Sequence, residues 1–108
     1  MKTNQLAGQT PDGAHADILG TLVRCAEPHA DRPCYTREGH GGKWAILLWW
    51  HAKSRQWVLG RRSDKGTKKG WIRVESDAPS PVGLADWQVW YANAWEPARL
   101  ACTLCASS

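Results

Sequence analysis

The stretch 43-KWAILLWWHAKSRQWVLG-60 holds four of the eight tryptophans of a 108-residue chain that has no phenylalanine. In 45-AILLWW-50, Ile46, Leu48 and Trp50 fall on one side of an extended chain, and Ala45, Leu47 and Trp49 fall on the other. Both sides are apolar. That predicts a central strand covered on both faces, in contrast to the apolar–polar alternation of a half-exposed one. The polar run 51-HAKSR-55 reads as a turn, and 56-QWVLGR-61 as the returning arm of a hairpin.

Outward from this hairpin the chain keeps the same rhythm. Upstream, 17-DILGTLVR-24 is a short segment with β-branched residues, and 34-CYTRE-38 is a brief strand closed by the glycines of 39-GHGG-42. Downstream, 71-WIRVE-75 alternates with Ile72 and Val74 inward, 87-WQVWYA-92 follows a proline-stiffened loop, and 95-WEPARLAC-102 carries Pro97, which suits a sheet edge. No sustained 3.6-residue periodicity occurs. The pattern predicts an all-β fold: a single small antiparallel sandwich or barrel of six to seven short strands. Residues 1–16 are polar and read as a flexible leader, 17–105 as one tryptophan-rich β domain, and 106–108 as a tail.

Composition narrows the class. Hydrophobic residues make up 43% and charged residues 22%, as in soluble globular proteins. The longest apolar run, 45-AILLWW-50, is far too short to span a bilayer, so membrane insertion is not expected. The N-terminus lacks the apolar core of a secretory signal, which makes an intracellular location the default expectation. The net charge of +4 is unevenly placed: from Lys53 to Arg73 there are eight basic residues against one acid, Asp64, so this loop region is strongly cationic on a mildly acidic body. Such a patch is either a solvated turn or a seat for phosphates or an acidic partner.

Eight indoles exceed what a core of this size requires. Trp44, Trp50, Trp57, Trp87 and Trp95 are expected to be mainly structural. Trp49, Trp71 and Trp90 fall opposite the residues assigned inward, and an exposed ring there can stack on a sugar, a base or a proline. Trp71 directly follows the basic loop, so Trp49, Trp71, Trp90, Arg61, Arg62, Lys65, Lys68 and Lys69 form the candidate ligand-binding set.

Four cysteines, Cys25, Cys34, Cys102 and Cys105, are read as reduced thiols for want of a secretory signal. Two tight pairs would be expected of a zinc site; 102-CTLC-105 is one, but 25-CAEPHADRPC-34 is loose, even with His29 and His40 nearby. No metal or cofactor is therefore assigned. Phosphate-loop, nucleophile-elbow and zinc-protease motifs are missing, and His51 has no carboxylate or nucleophile beside it in an evident catalytic pattern. No enzymatic activity is expected.

The segments 31-DRPCY-35, 46-ILLWW-50, 56-QWVLG-60, 64-DKGTKKGW-71, 74-VESDAPSP-81 and 87-WQVWYANAW-95 occur in an order that resembles a tryptophan-rich β repeat, roughly ninety residues long and often in tandem, in proteins of dinoflagellates and other protists. The final W-x-V-W…W block is the most distinctive part. The chain departs from the pattern at 19-LGTL-22 and 30-AD-31, where an Asn, a Tyr and an N-G turn are replaced. The resemblance covers about residues 17–102 and implies a β-rich interaction module with no catalytic residues to transfer. The leading functional expectation is a non-catalytic protein-interaction or assembly module, including a subunit of a larger complex. The alternatives are a carbohydrate-binding module using exposed tryptophans, and anionic-ligand or nucleic-acid binding through the basic loop.

Overall fold

The computed structural model describes residues 3–39 and 45–105. Nine strands form one antiparallel sheet: β1 (Thr3–Gln9), β2 (Gly20–Arg24), β3 (Tyr35–Arg37), β4 (Ile46–His51), β5 (Gln56–Arg61), β6 (Ile72–Glu75), β7 (Gln88–Tyr91), β8 (Ala94–Pro97) and β9 (Arg99–Cys105). Among the described residues there are short 3-10 turns and no α-helix, and no helix long and apolar enough to cross a membrane. The fold is all-β as expected, with nine strands where six to seven were expected.

The two extra strands arise at the chain ends. The segment read as a polar leader contributes β1, which pairs with β2 on one side and with β9 on the other, from Thr3↔Cys105 to Gln9↔Arg99. Its alternation is real but concealed, because one of its two buried positions is Asn4 and the other is Leu6. At the C-terminal end a single expected strand divides at Ala98. Pro97 has no N–H to continue a ladder, so β8 pairs with β7 before this point and β9 pairs with β1 after it.

That division nearly closes the sheet. Strand order is β8-β7-β6-β5-β4-β3-β2-β1-β9, so the two edges belong to strands joined through Ala98 alone. A bent segment, 94–105, thus runs along the seam of a nearly closed barrel. Ala98 N–H donates to the Trp87 carbonyl at 2.9 Å, and Gly83 N–H donates to the Cys102 carbonyl at 2.9 Å, so the 76–87 loop covers the β9 edge. Pro97 stands on the β8 edge, as its chemistry suggested.

The barrel interior is filled by Leu6, Leu22, Tyr35, Leu48, Trp50, Trp57, Leu59, Ile72, Val74, Trp87 and Val89, with Ile18 inserted from a 3-10 turn at one end. Ile72 and Val74 point inward as the alternation required. Trp57 and Trp87 are fully buried; each ring of this size contributes up to ~4–6 kcal/mol of gross burial free energy. Trp50 is clamped rather than merely buried. Its Nε1–H donates to the Ser76 carbonyl at 2.9 Å, and the Arg32 guanidinium lies 3.5 Å above the ring. Arg32 in turn donates to the Asp77 and Ala78 carbonyls, so one residue ties the 25–34 loop to the 76–87 loop. Trp44 lies outside the described residues.

A second, smaller core sits on the outer face of the sheet, where Cys34, Leu47, Trp49 and Val58 cluster. This is the second apolar side of β4. Trp49 is completely buried, and its Nε1–H donates to the Thr67 carbonyl at 2.8 Å. The 62–70 loop therefore closes over this cluster. It can do so because Gly60 and Gly70 leave room: a Cβ on Gly70 would stand 2.5 Å from Val58 Cγ1 and 2.7 Å from the Leu59 carbonyl oxygen.

Candidate functional site

The basic loop that closes over Trp49 also borders an open groove on its other side. The groove is built from the β7–β8 hairpin. Ala92 and Asn93 have φ of 51° and 64°, the two left-handed positions of a type I′ turn, whose twist matches that of the strands. This turn sets the register Trp90↔Trp95. The indoles meet edge to face, with centroids 5.4 Å apart and planes at 67°. Val89 faces the barrel, so Trp90 must face outward, and it is 40% exposed.

The next strand adds a cation. Arg73 on β6 lies opposite Gln88, donates from Nε to Gln88 Oε1 at 2.9 Å, and holds its guanidinium carbon 4.0 Å from the Trp95 ring centroid. Burial lowers its pKa from the ordinary arginine value, while the charge of Glu75 opposes that shift. Trp71, just ahead of β6, is fixed by its own backbone: its N–H donates to the Leu59 carbonyl at 2.9 Å, and its carbonyl accepts from Trp90 N–H at 2.7 Å. Arg61, at the end of β5, lies 5.4 Å from the Trp71 ring centroid. The His15 ring stands 5.8 Å from Trp71, and His15 Nε2 lies 3.0 Å from the Trp90 carbonyl. Tyr91 donates its phenol proton to Asp12, a bond that raises the Tyr91 pKa.

The groove has a volume of about 580 Å3, and the 62–70 loop supplies its rim with Asp64, Lys68 and Lys69. The rim is internally braced: Thr67 Oγ1 donates to the Asp64 carbonyl at 2.7 Å and accepts from Lys69 N–H at 3.0 Å. Four cations and one carboxylate therefore surround three indoles.

Of the eight residues selected from the sequence, Trp71, Trp90, Arg61, Lys68 and Lys69 come together here. Trp49 does not; it is interior to the second core, which corrects its assignment to an exposed face. The reason is that the outer face of β4 is itself covered by a loop. Arg62 and Lys65 also fall elsewhere, in a separate groove with Cys25, Thr36 and Leu47 of about 410 Å3. Four groove residues were not selected, Asp64, Gly70, Arg73 and Trp95, and the last two bring a cation and an indole. Trp95 was assigned a mainly structural role and is instead half-buried on the groove wall. The signal for Arg73 and Trp95 was present: in a two-residue hairpin, Trp95 must face Trp90, and Arg73 shares the outward parity of Trp71.

His51 is occupied in closing the β4–β5 turn. Its Nδ1 lies 2.6 Å from Ser54 Oγ and accepts from Ser54 N–H at 3.3 Å, and Ser54 Oγ donates to Gln56 Oε1 at 3.1 Å. Among the described residues, no group of three or more histidines, cysteines and carboxylates is placed to hold a metal ion, and His40 lies outside those residues. No protein-family model, curated protein or solved structure matches this chain.

Proposed function

We propose that this protein is a non-catalytic binding module whose groove along β6–β8 takes a short segment of single-stranded nucleic acid. The observation that supports this most directly is the placement of Arg61, Lys68, Lys69 and Arg73 around Trp71, Trp90 and Trp95 in one groove. Cationic side chains that follow a phosphate backbone, beside an indole face on which a base can stack, make up the physical design of single-strand binding surfaces. The groove volume suits a nucleotide-sized unit.

The arrangement of ring faces favours this reading over the carbohydrate alternative. A neutral sugar needs a bare flat ring. Arg73 already stacks on Trp95, and Arg61 stands over Trp71. Trp90 is the exposed ring, so it offers a single platform within a cationic setting. A protein partner, the leading expectation from the sequence and from the resemblance to tryptophan-rich repeats, would have to be acidic to suit the same groove.

The test is a tryptophan-fluorescence titration with a single-stranded oligonucleotide at several salt concentrations. Three to four phosphate contacts give a slope of log affinity against log salt of about −2 to −3. Quenching should disappear in Trp90→Ala. A flat salt response, or equal affinity for an acidic peptide of the same charge, would exclude the nucleic-acid reading.

A further inference from the structure

The β2–β3 register runs Leu22↔Arg37, Val23↔Thr36, Arg24↔Tyr35. Its next step sets Cys25 opposite Cys34. The ladder does continue there, since Cys25 N–H donates to the Cys34 carbonyl at 2.8 Å. Directly opposed antiparallel residues have Cα atoms about 4.5–5.5 Å apart, inside the window of about 4.4–6.8 Å that a disulfide spans. Both side chains lie on the outer face, with Cys34 in the second core and Cys25 packed against it. Cys25 Sγ lies 3.2 Å from Thr36 Oγ1, and its sulfur is close enough to Cys34 to help raise the Cys34 pKa.

The two sulfurs differ in access. Cys34 is fully buried, whereas Cys25 is half-buried and lines the 410 Å3 groove together with Arg62 and Lys65. We propose that Cys25 and Cys34 form an oxidisable dithiol site that takes a small anionic disulfide of the glutathione type. Cys25 is the attacking thiol, since it alone of the pair is reachable and the two cations beside it attract the carboxylates of such a molecule. Cys34 resolves the mixed disulfide. Burial, followed by the Cys25 sulfur beside it, pushes its pKa up to about 12, which suits the slower, second role.

The chemistry balances. The Cys25 thiolate bonds to one sulfur of the small disulfide and displaces the other as a thiolate. The Cys34 sulfur then bonds to Cys25 Sγ and displaces the remaining small thiol. The protein loses two electrons and two protons as the sulfur–sulfur bond forms, and the small disulfide is reduced to two thiols. The product bridges the two ends of the 26–33 segment, which carries Arg32 over Trp50. Oxidation therefore fastens the loop that ties this face to the 76–87 loop.

The experiment equilibrates the purified chain with graded ratios of reduced and oxidised glutathione, traps remaining thiols by alkylation, and digests with trypsin. Arg32 precedes Pro33, so the peptide from Cys25 to Arg37 stays whole and contains both thiols. At oxidising ratios this peptide is expected to resist alkylation and to weigh two hydrogens less than its reduced form. Amide exchange within 26–33 is expected to slow in parallel. Cys34→Ser is expected to accumulate a glutathione adduct on Cys25 that the native chain does not. Two alkylated thiols at every ratio, or an oxidised Cys25 joined only to Cys102 or Cys105, would overturn the proposal. Because the native chain is the primary sample, either result is decisive even if the serine variant fails to fold.

Discussion

Trp49 and Trp90 both stand on the outer face of the same sheet, and both border the 62–70 loop, yet one is fully buried and the other is the most exposed tryptophan described. The difference lies in what the loop presents to each. Towards Trp49 it turns a backbone carbonyl, from Thr67, which accepts the indole N–H and lets the ring be sealed off without an orphaned donor. Towards Trp71, Trp90 and Trp95 it turns ammonium groups, from Lys68 and Lys69. These groups are strongly hydrated and do not close a lid over an apolar surface. One nine-residue connection thus completes a core on one flank and leaves a cationic groove on the other. An outward tryptophan is not by itself a binding residue; the polarity of what faces it decides.

The contrast can be broken most forcefully at Trp49. Trp49→Ala empties the second core and removes the anchor of the loop, and is expected to cost about 3–5 kcal/mol in denaturant unfolding. Groove binding should fall with it, because Lys68 and Lys69 lose their fixed positions. Trp90→Ala should behave in the opposite manner. It removes an edge-to-face pair with Trp95, so the stability loss is expected to be about 0.5–1.5 kcal/mol, while oligonucleotide quenching is abolished. If both variants lost similar stability, the assignment of one ring to a core and the other to a groove would fail.

How much of this was legible beforehand depended on local signals. The two apolar faces of 45-AILLWW-50 announced a strand covered on both sides, and that is what β4 is. The inward parity of Ile72 and Val74 was equally plain. The same parity argument placed Trp49 outward correctly but could not show that the chain returns over it, because Thr67 lies eighteen residues away and acts through its backbone, which has no side-chain signature. β1 was hidden by a different cause: its inward positions are Asn4 and Leu6, so its apolar content resembles that of a loop. Arg62 and Lys65 looked equivalent to Lys68 and Lys69 in a charge count. The 3-10 turn at Arg62–Asp64 redirects them to the far side of the loop, and a composition window does not register that redirection.

The hairpin that presents Trp90 allows a finer test. Ala92 holds φ of 51°, a left-handed conformation that costs an L-residue with a Cβ roughly 1 kcal/mol. Ala92→Gly relieves that cost and is expected to raise stability by up to about 1 kcal/mol with groove affinity unchanged. A loss of affinity in this variant would mean that the Trp90–Trp95 register depends on more than the turn.

The smallest expected effect concerns pH and belongs to the closed flank alone. His29 lies where the 25–34 loop meets the 62–70 loop, against Gly66. Its pKa is lowered from 6.5, first by burial and then by the charges of Lys65 and His51. Because the folded value lies below the unfolded one, the unfolded chain binds the proton more readily. Stability is therefore expected to decline as pH falls from about 6.5 through the lowered folded value, and to level off below it. Solvent screening keeps the effect small at a site with this much exposure. His29→Gln should flatten that part of the stability profile, measured by urea unfolding at closely spaced pH values. The salt-dependent binding of the groove should keep its slope in the same variant, since His29 does not line that groove.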